Sequence, residues 1–147
     1  MADHLHKQIR DKLETALTGL TTSGARIYAN RIQPMADANL PGLRIFSDDE
    51  QVEPQTFHAP YLQERTLRLV VECCAKSTTA LDDTLDLMSN EVEKALAAGI
   101  TISSRAYVPV YTGMTFDDEQ SDKPVGVKRL NYVITYSCMS NAPDTLS

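Results

Sequence analysis

The stretch ERTLRLVVECCAK, Glu64–Lys76, decides how the chain is read. Arg65, Leu67, Leu69, Val71, Cys73 and Ala75 fall on one parity, and Thr66, Arg68, Val70, Glu72, Cys74 and Lys76 on the other. Successive side chains of an extended strand point to opposite faces. A period of two held over this length predicts a half-buried strand, one face apolar and the other mixed. The apolar face must be covered, and the rest of the chain supplies the cover.

Two segments carry a helical period. Leu5, Ile9, Leu13 and Leu17 recur every four residues, widened by Ala16 and Leu20, with Asp3 as the expected N-cap and TTSG as the stop. After STTALDD, whose hydroxyls and acids suit a helix start, Leu81, Leu85, Met88, Val92, Ala95 and Leu96 form a second stripe that Gly99 can end. Four further strands are predicted at Ala25–Asn30, Leu43–Phe46, Ala106–Phe116 and Lys128–Cys138. In the third of these, Val108, Val110, Met114 and Phe116 are expected on one side, with Tyr107 and Tyr111 on the other. In the last, Leu130, Tyr132, Ile134, Tyr136 and Cys138 oppose Arg129, Asn131, Val133, Thr135 and Ser137. The order is α-β-β-β-α-β-β. Two amphipathic helices cover one face of a roughly five-stranded mixed sheet, which makes an α+β two-layer sandwich. Residues 1–138 read as one domain and 139–147 as a flexible tail.

Bulk properties narrow the class. At 147 residues, 42% hydrophobic and 23% charged, the chain fits one globular domain. No apolar run approaches the roughly 18 residues of a membrane span, and MADHLHKQIRDKLE is too charged for a signal peptide, so cytosolic synthesis is expected. Cys73, Cys74 and Cys138 lack the spacing of a zinc site or disulfide framework. A net charge of −6 argues against nucleic-acid binding, which needs a basic stripe.

Candidate sites are few. The string DDEQ occurs twice, after Ser47 and after Phe116, placing Asp48, Asp49 and Glu50, with Glu53 nearby, in an expected loop at Asp48–Pro60, and Asp117, Asp118 and Glu119 in the connection before the last strand. Consecutive acids on an extended chain point alternately to opposite sides, so three in a row converge poorly on a cation. Either copy reads as a charged loop tip more readily than as the metal site of a hydrolase. His4 and His6 stand about 200° apart on a helix and cannot share a metal, His58 carries no evident chemistry, and no serine lies in a nucleophile elbow. No enzyme activity and no cofactor are expected. The mixed sheet face is the remaining feature. Arg68, Val70, Glu72, Tyr107, Tyr111, Arg129 and Val133 are expected there, a composition found in subunit interfaces as well as on ordinary solvated faces.

The C-terminal third carries a resemblance. FDDEQSDKPVGVKRLNYVITYSC, Phe116–Cys138, resembles the end of the tail terminator proteins of long, flexible-tailed phages: an acidic run, a short gap, then a strand of the form L-x-Y-V-I-T-Y at Leu130–Tyr136. ADANLPGLRIF, with Asp37, Leu40 and Pro41, is similar to that family's approach to its second strand, and the element order agrees with its α+β fold. The resemblance implies a structural protein of the virion with no catalytic role. It would form a ring, hexameric in the family, on the head-proximal end of the tail tube, stop tube growth and present a surface to the head. Its partners would be further copies of itself, the tail tube protein and a head-completion or connector protein, with no membrane. Another connector or tail-completion ring is the nearest alternative. Under this resemblance the second DDEQ run, Asp117–Glu119, becomes a recognition loop for neighbouring subunits or the tube, and the first is read the same way only because it too follows a strand; a divalent ion would relieve repulsion between copies.

Overall fold

A computed structural model describes residues 3–29, 40–76, 79–119 and 125–147, with backbone alone for 117–119 and 125. Its spine is the stretch quoted above. That strand, β3 (Leu62–Lys76), runs antiparallel to β7 (Val125–Met139) along its whole length, from Leu62 opposite Met139 to Lys76 opposite Val125. β2 (Gly42–Pro54) lies antiparallel on the other side of β3, β1 (Ile27–Tyr28) pairs parallel with β2, and β6 (Val110–Glu119) pairs antiparallel with β7. The mixed sheet of five strands has the order β1-β2-β3-β7-β6.

Two helices, α1 (Leu5–Leu17) and α2 (Leu81–Ala97), cover one face of that sheet. Leu5, Ile9, Leu13 and Leu17 of α1 are each at most 1% exposed. Leu85, Met88, Val92 and Leu96 of α2 close over Leu67, Leu69, Val71, Cys73, Leu130, Tyr132 and Ile134. The fold class and the buried parity of the long strand are those the periodicity predicts. α1 packs on β1 and β2, and α2 on β3 and β7. α2 sits close to β7 because Gly126 has no side chain: a Cβ there would lie 2.9 Å from Leu81 Cδ2. At the other end of α2, Gly99 turns the chain with φ +80°, and its amide bonds the Leu96 carbonyl at 3.0 Å.

Several boundaries differ from the expectation, each for a physical reason. The α1 N-cap is His4, whose Nδ1 accepts the His6 amide hydrogen at 3.0 Å, while Asp3 lies one residue outside. β1 is two residues long, and Asn30 lies outside the described residues. The expected loop at Asp48–Pro60 is strand as far as Pro54, because β2 resumes pairing after a bulge in which Asp48 and Asp49 together oppose Arg68. Asp117–Glu119 likewise belong to a strand by backbone pairing with Val127, Gly126 and Val125, and their side chains lie outside the described residues.

The predicted strand Ala106–Phe116 is two strands in two sheets. Arg105–Tyr107 forms β5 of a small hairpin with β4 (Ile100–Ile102), a pairing the pattern did not suggest, and Pro109, which lacks an amide donor, separates it from β6. Within β6 a second bulge sets Thr112 between the Tyr111–Tyr132 and Gly113–Asn131 pairs, with Gly113 at φ +153°. The residues after Met139, expected to dangle, are laid against the fold. Ser140 bonds Tyr61, the Leu5 amide donates to Pro143 O at 2.9 Å, Leu146 bridges to Cys138, and the Ser147 amide donates to Ser137 O.

Candidate functional site

The helix-free face of the sheet carries its side chains in rows set by register. Arg44 of β2, Glu72 of β3, Arg129 of β7 and Thr115 of β6 lie opposite one another in one row. The adjoining row is Phe46, Val70, Asn131 and Gly113, and the next joins Arg68 to Val133 and Val110. Directly opposite residues sit close enough to interact, so strand register alone places an acid between two arginines.

The Glu72 carboxylate is fully buried, although among the described residues no second layer covers this face. Arg44 Nε donates to Oε1 at 2.6 Å and its Nη2 approaches the same oxygen, while Arg129 Nε donates to Oε2 at 2.6 Å. An ion removed from water survives only with such pairing, and here both carboxylate oxygens have a guanidinium. A cleft of about 500 Å³ lies over this row, bounded also by Phe46, Asp48, Arg68 and Val70. The β2 bulge explains the next pair. Two consecutive acids occupy the space opposite one residue, and Arg68 reaches both, at 3.5 Å to Asp48 and 3.2 Å to Asp49.

Glu50 does something different. The bulge shifts parity, so Glu50 points to the helix side with 12% of its side chain exposed. It meets His6 Nε2 at 2.7 Å and Arg65 Nη1 at 3.5 Å, and it accepts the Tyr136 hydroxyl at 2.5 Å. Burial, reinforced by this bond to Glu50, pushes the Tyr136 hydroxyl above the usual tyrosine range. Burial and the neighbouring His6 lower the His4 imidazole.

Of the residues expected on the mixed face, the structure brings together Arg68, Val70, Glu72, Arg129 and Val133. Tyr107 and Tyr111 are not among them. Tyr107 lies in β5 and packs against the helix-side core. Tyr111 precedes the Thr112 bulge, which reverses parity, so its ring meets Tyr132 edge-on at 5.5 Å on the helix side. Val70 and Glu72 are buried within the chain itself, leaving the arginines to present the surface. Of the acids, Asp48 and Asp49 join the helix-free face, Glu50 is turned inward, Glu53 is exposed on β2, and Asp117, Asp118 and Glu119 have side chains outside the described residues. Arg44, His6 and Tyr136 were missed as site residues. The basic residue of LRIF was visible, but its partner becomes evident only once β2 is set against β3.

Among the described residues no group of three or more His, Cys, Asp or Glu side chains is disposed to hold a metal ion. Cys73, Cys74 and Cys138 are buried and form no disulfide, and burial pushes the Cys73 thiol up to about 12. No helix among the described residues is long and apolar enough to cross a membrane.

Among the described residues the fold is an α+β sandwich with one helix-covered sheet face and one helix-free, arginine-rich face. Comparison with known families makes the class specific: residues 4–136 match the family described as phage minor tail protein U. The chain belongs to that family of phage tail proteins. None of the curated proteins compared matches it.

Proposed function

We propose that this chain is the tail terminator subunit of its virion. Copies close into a hexameric ring on the head-proximal end of the tail tube, end tube growth and offer the surface to which the filled head attaches. The observation that carries this reading is family membership over residues 4–136, nearly the whole chain. The physical chemistry is compatible. A ring built from one subunit type requires a heterologous contact, which joins two different surfaces of each copy. The helix-free face suits one side of that contact, because Arg68 and Arg129 remain half exposed while their partners are already in place. Arginine is favoured at interfaces for its planar, multidentate fork. The exposed acids of β2, including Glu53, suit charged contacts with the tube or the head-side partner.

The experiment is electron microscopy of particles made without this chain. Tails longer than normal are expected, since nothing then stops the tube. Tails of normal length on leaking heads would overturn the terminator role in favour of a connector. In the complementing chain, Arg68→Glu with Val133→Asp should restore folding but not length control; full restoration would remove the helix-free face from the ring contact.

A further inference from the structure

The first turn of α1 is held from outside the helix. Amides at a helix start have no partner within it and must find one elsewhere. Here the Leu5 amide donates to Pro143 O at 2.9 Å, and the His6 amide to Nδ1 of the His4 ring at 3.0 Å. Gln8 Nε2 ties the same turn down, donating to Asp3 O at 2.7 Å and to Asp144 O at 2.9 Å. One turn of helix therefore anchors the C-terminal segment. That segment continues to Leu146, which bridges to Cys138 and packs against the core, and to Ser147, whose amide donates to Ser137 O at 3.0 Å.

An imidazole can cap a helix in this way only while neutral. With Nδ1 accepting, the ring carries its proton on Nε2, and a second proton makes both nitrogens donors. Nδ1–H would then face the His6 N–H, and the cation would stand at the positive end of the helix dipole. The surrounding charges are of both signs. The His6 ring centre lies 4.2 Å away and Arg65 approaches from β3, while Glu50 of β2 and Asp144 of the C-terminal segment pull the other way. Glu50 is already shared among His6, Arg65 and the Tyr136 hydroxyl of β7. Desolvation, then His6 and Arg65, outweigh the two acids and lower the His4 imidazole.

We propose that His4 is an acid-released latch: its protonation breaks the cap, opens the first turn of α1 and frees Pro143–Ser147 from the end of the sheet, while the sheet and the rest of both helices stay folded. A histidine that protonates less readily in the closed state stabilises that state at high pH and ceases to do so as the pH falls. The latch is therefore closed above about pH 6.5 and weakens below it. Asparagine or serine would cap the turn without this dependence, so the pH response comes from the choice of histidine. The inference rests on the cap and the segment it anchors, and does not require the ring.

Hydrogen exchange on the full chain, read by mass spectrometry with labelling times scaled for the intrinsic rate, compares about pH 7.5 with about pH 5. Protection across Leu5–Gln8 and Asp144–Ser147 should fall at least about fivefold at the lower pH, with β3 unchanged. His4→Asn should stay closed at both pH values, and His4→Ala should be open at both. Cys138 gives a second reading: at the lower pH dithiodipyridine should modify it faster in the wild-type chain than in His4→Asn, with Cys73 and Cys74 still protected. Equal protection at the two pH values, a loss in His4→Asn as large as in the wild type, opening of the turn without the C-terminal segment, or simultaneous loss in β3 would each overturn the proposal.

Discussion

Replacing Arg44 by methionine tests the account of the buried carboxylate most directly. The change keeps much of the side-chain length but removes both guanidinium contacts to Glu72 Oε1. Glu72 has no exposed side-chain surface, so water cannot replace the lost partner without disturbing the row. Breaking a buried pair from one side costs about 3–5 kcal/mol. Arg129 still holds Oε2, so the lower end of that range, about 3 kcal/mol, is expected. For a chain of this size that lowers Tm by roughly 6–12 °C. The assay is urea unfolding followed by circular dichroism, with Glu72→Leu and the double variant completing a cycle. The double variant should recover most of the loss, because a well-packed apolar replacement of a buried ion pair is close to neutral. A single variant costing less than about 1 kcal/mol, or a double variant as unstable as Arg44→Met, would refute the reasoning.

Three further outcomes follow from the same structure. Burial raises the Tyr132 and Tyr136 hydroxyls, so above about pH 10 the unfolded chain releases protons that the folded chain keeps, and stability must fall as pH rises. Urea midpoints measured from pH 8 to pH 11 should decline, less steeply for Tyr136→Phe, and a flat profile would contradict the burial. Cys73, Cys74 and Cys138 should resist iodoacetamide at pH 8 until the chain unfolds, since all are buried and the Cys73 thiol is pushed up to about 12; rapid labelling of the folded chain, read by mass spectrometry, would count against that core. Gly99→Ala places a Cβ 2.8 Å from the Tyr107 carbonyl oxygen at φ +80°, and should cost on the order of 1–3 kcal/mol in the same unfolding assay.

Much of the architecture was legible because it rests on periodicity. The stripe from Leu5 to Leu17 and the alternation from Arg65 to Ala75 each report a side that must be dry, and the structure buries those sides. The site was less legible because bulges break parity. One added residue at Asp48–Asp49 sends Glu50 under the helices, and Thr112 sends Tyr111 the same way, so alternation counted through either point assigns the wrong face. Pairing across the sheet is also invisible along the chain. Arg44, Glu72 and Arg129 are separated by 28 and 57 residues and meet only through register. The bare face was predicted in kind, while its organising acid was grouped with surface residues because nothing local marks Glu72 as buried.

That row also bears on how the chain finds its pairing. Hydrophobic alternation punishes a slip of β7 against β3 by one residue, since Arg129 would be forced beneath the helices and Leu130 expelled. A slip by two residues leaves both faces chemically similar, and alternation is nearly blind to it. Glu72 would then stand opposite Val127 or Asn131 instead of Arg129, a carboxylate deprived of its guanidinium. The cost of that orphaned charge falls on the one class of misalignment that burial of apolar surface tolerates. The ion row therefore acts as a vernier on strand alignment, distinguishing the native setting from its even-numbered neighbours.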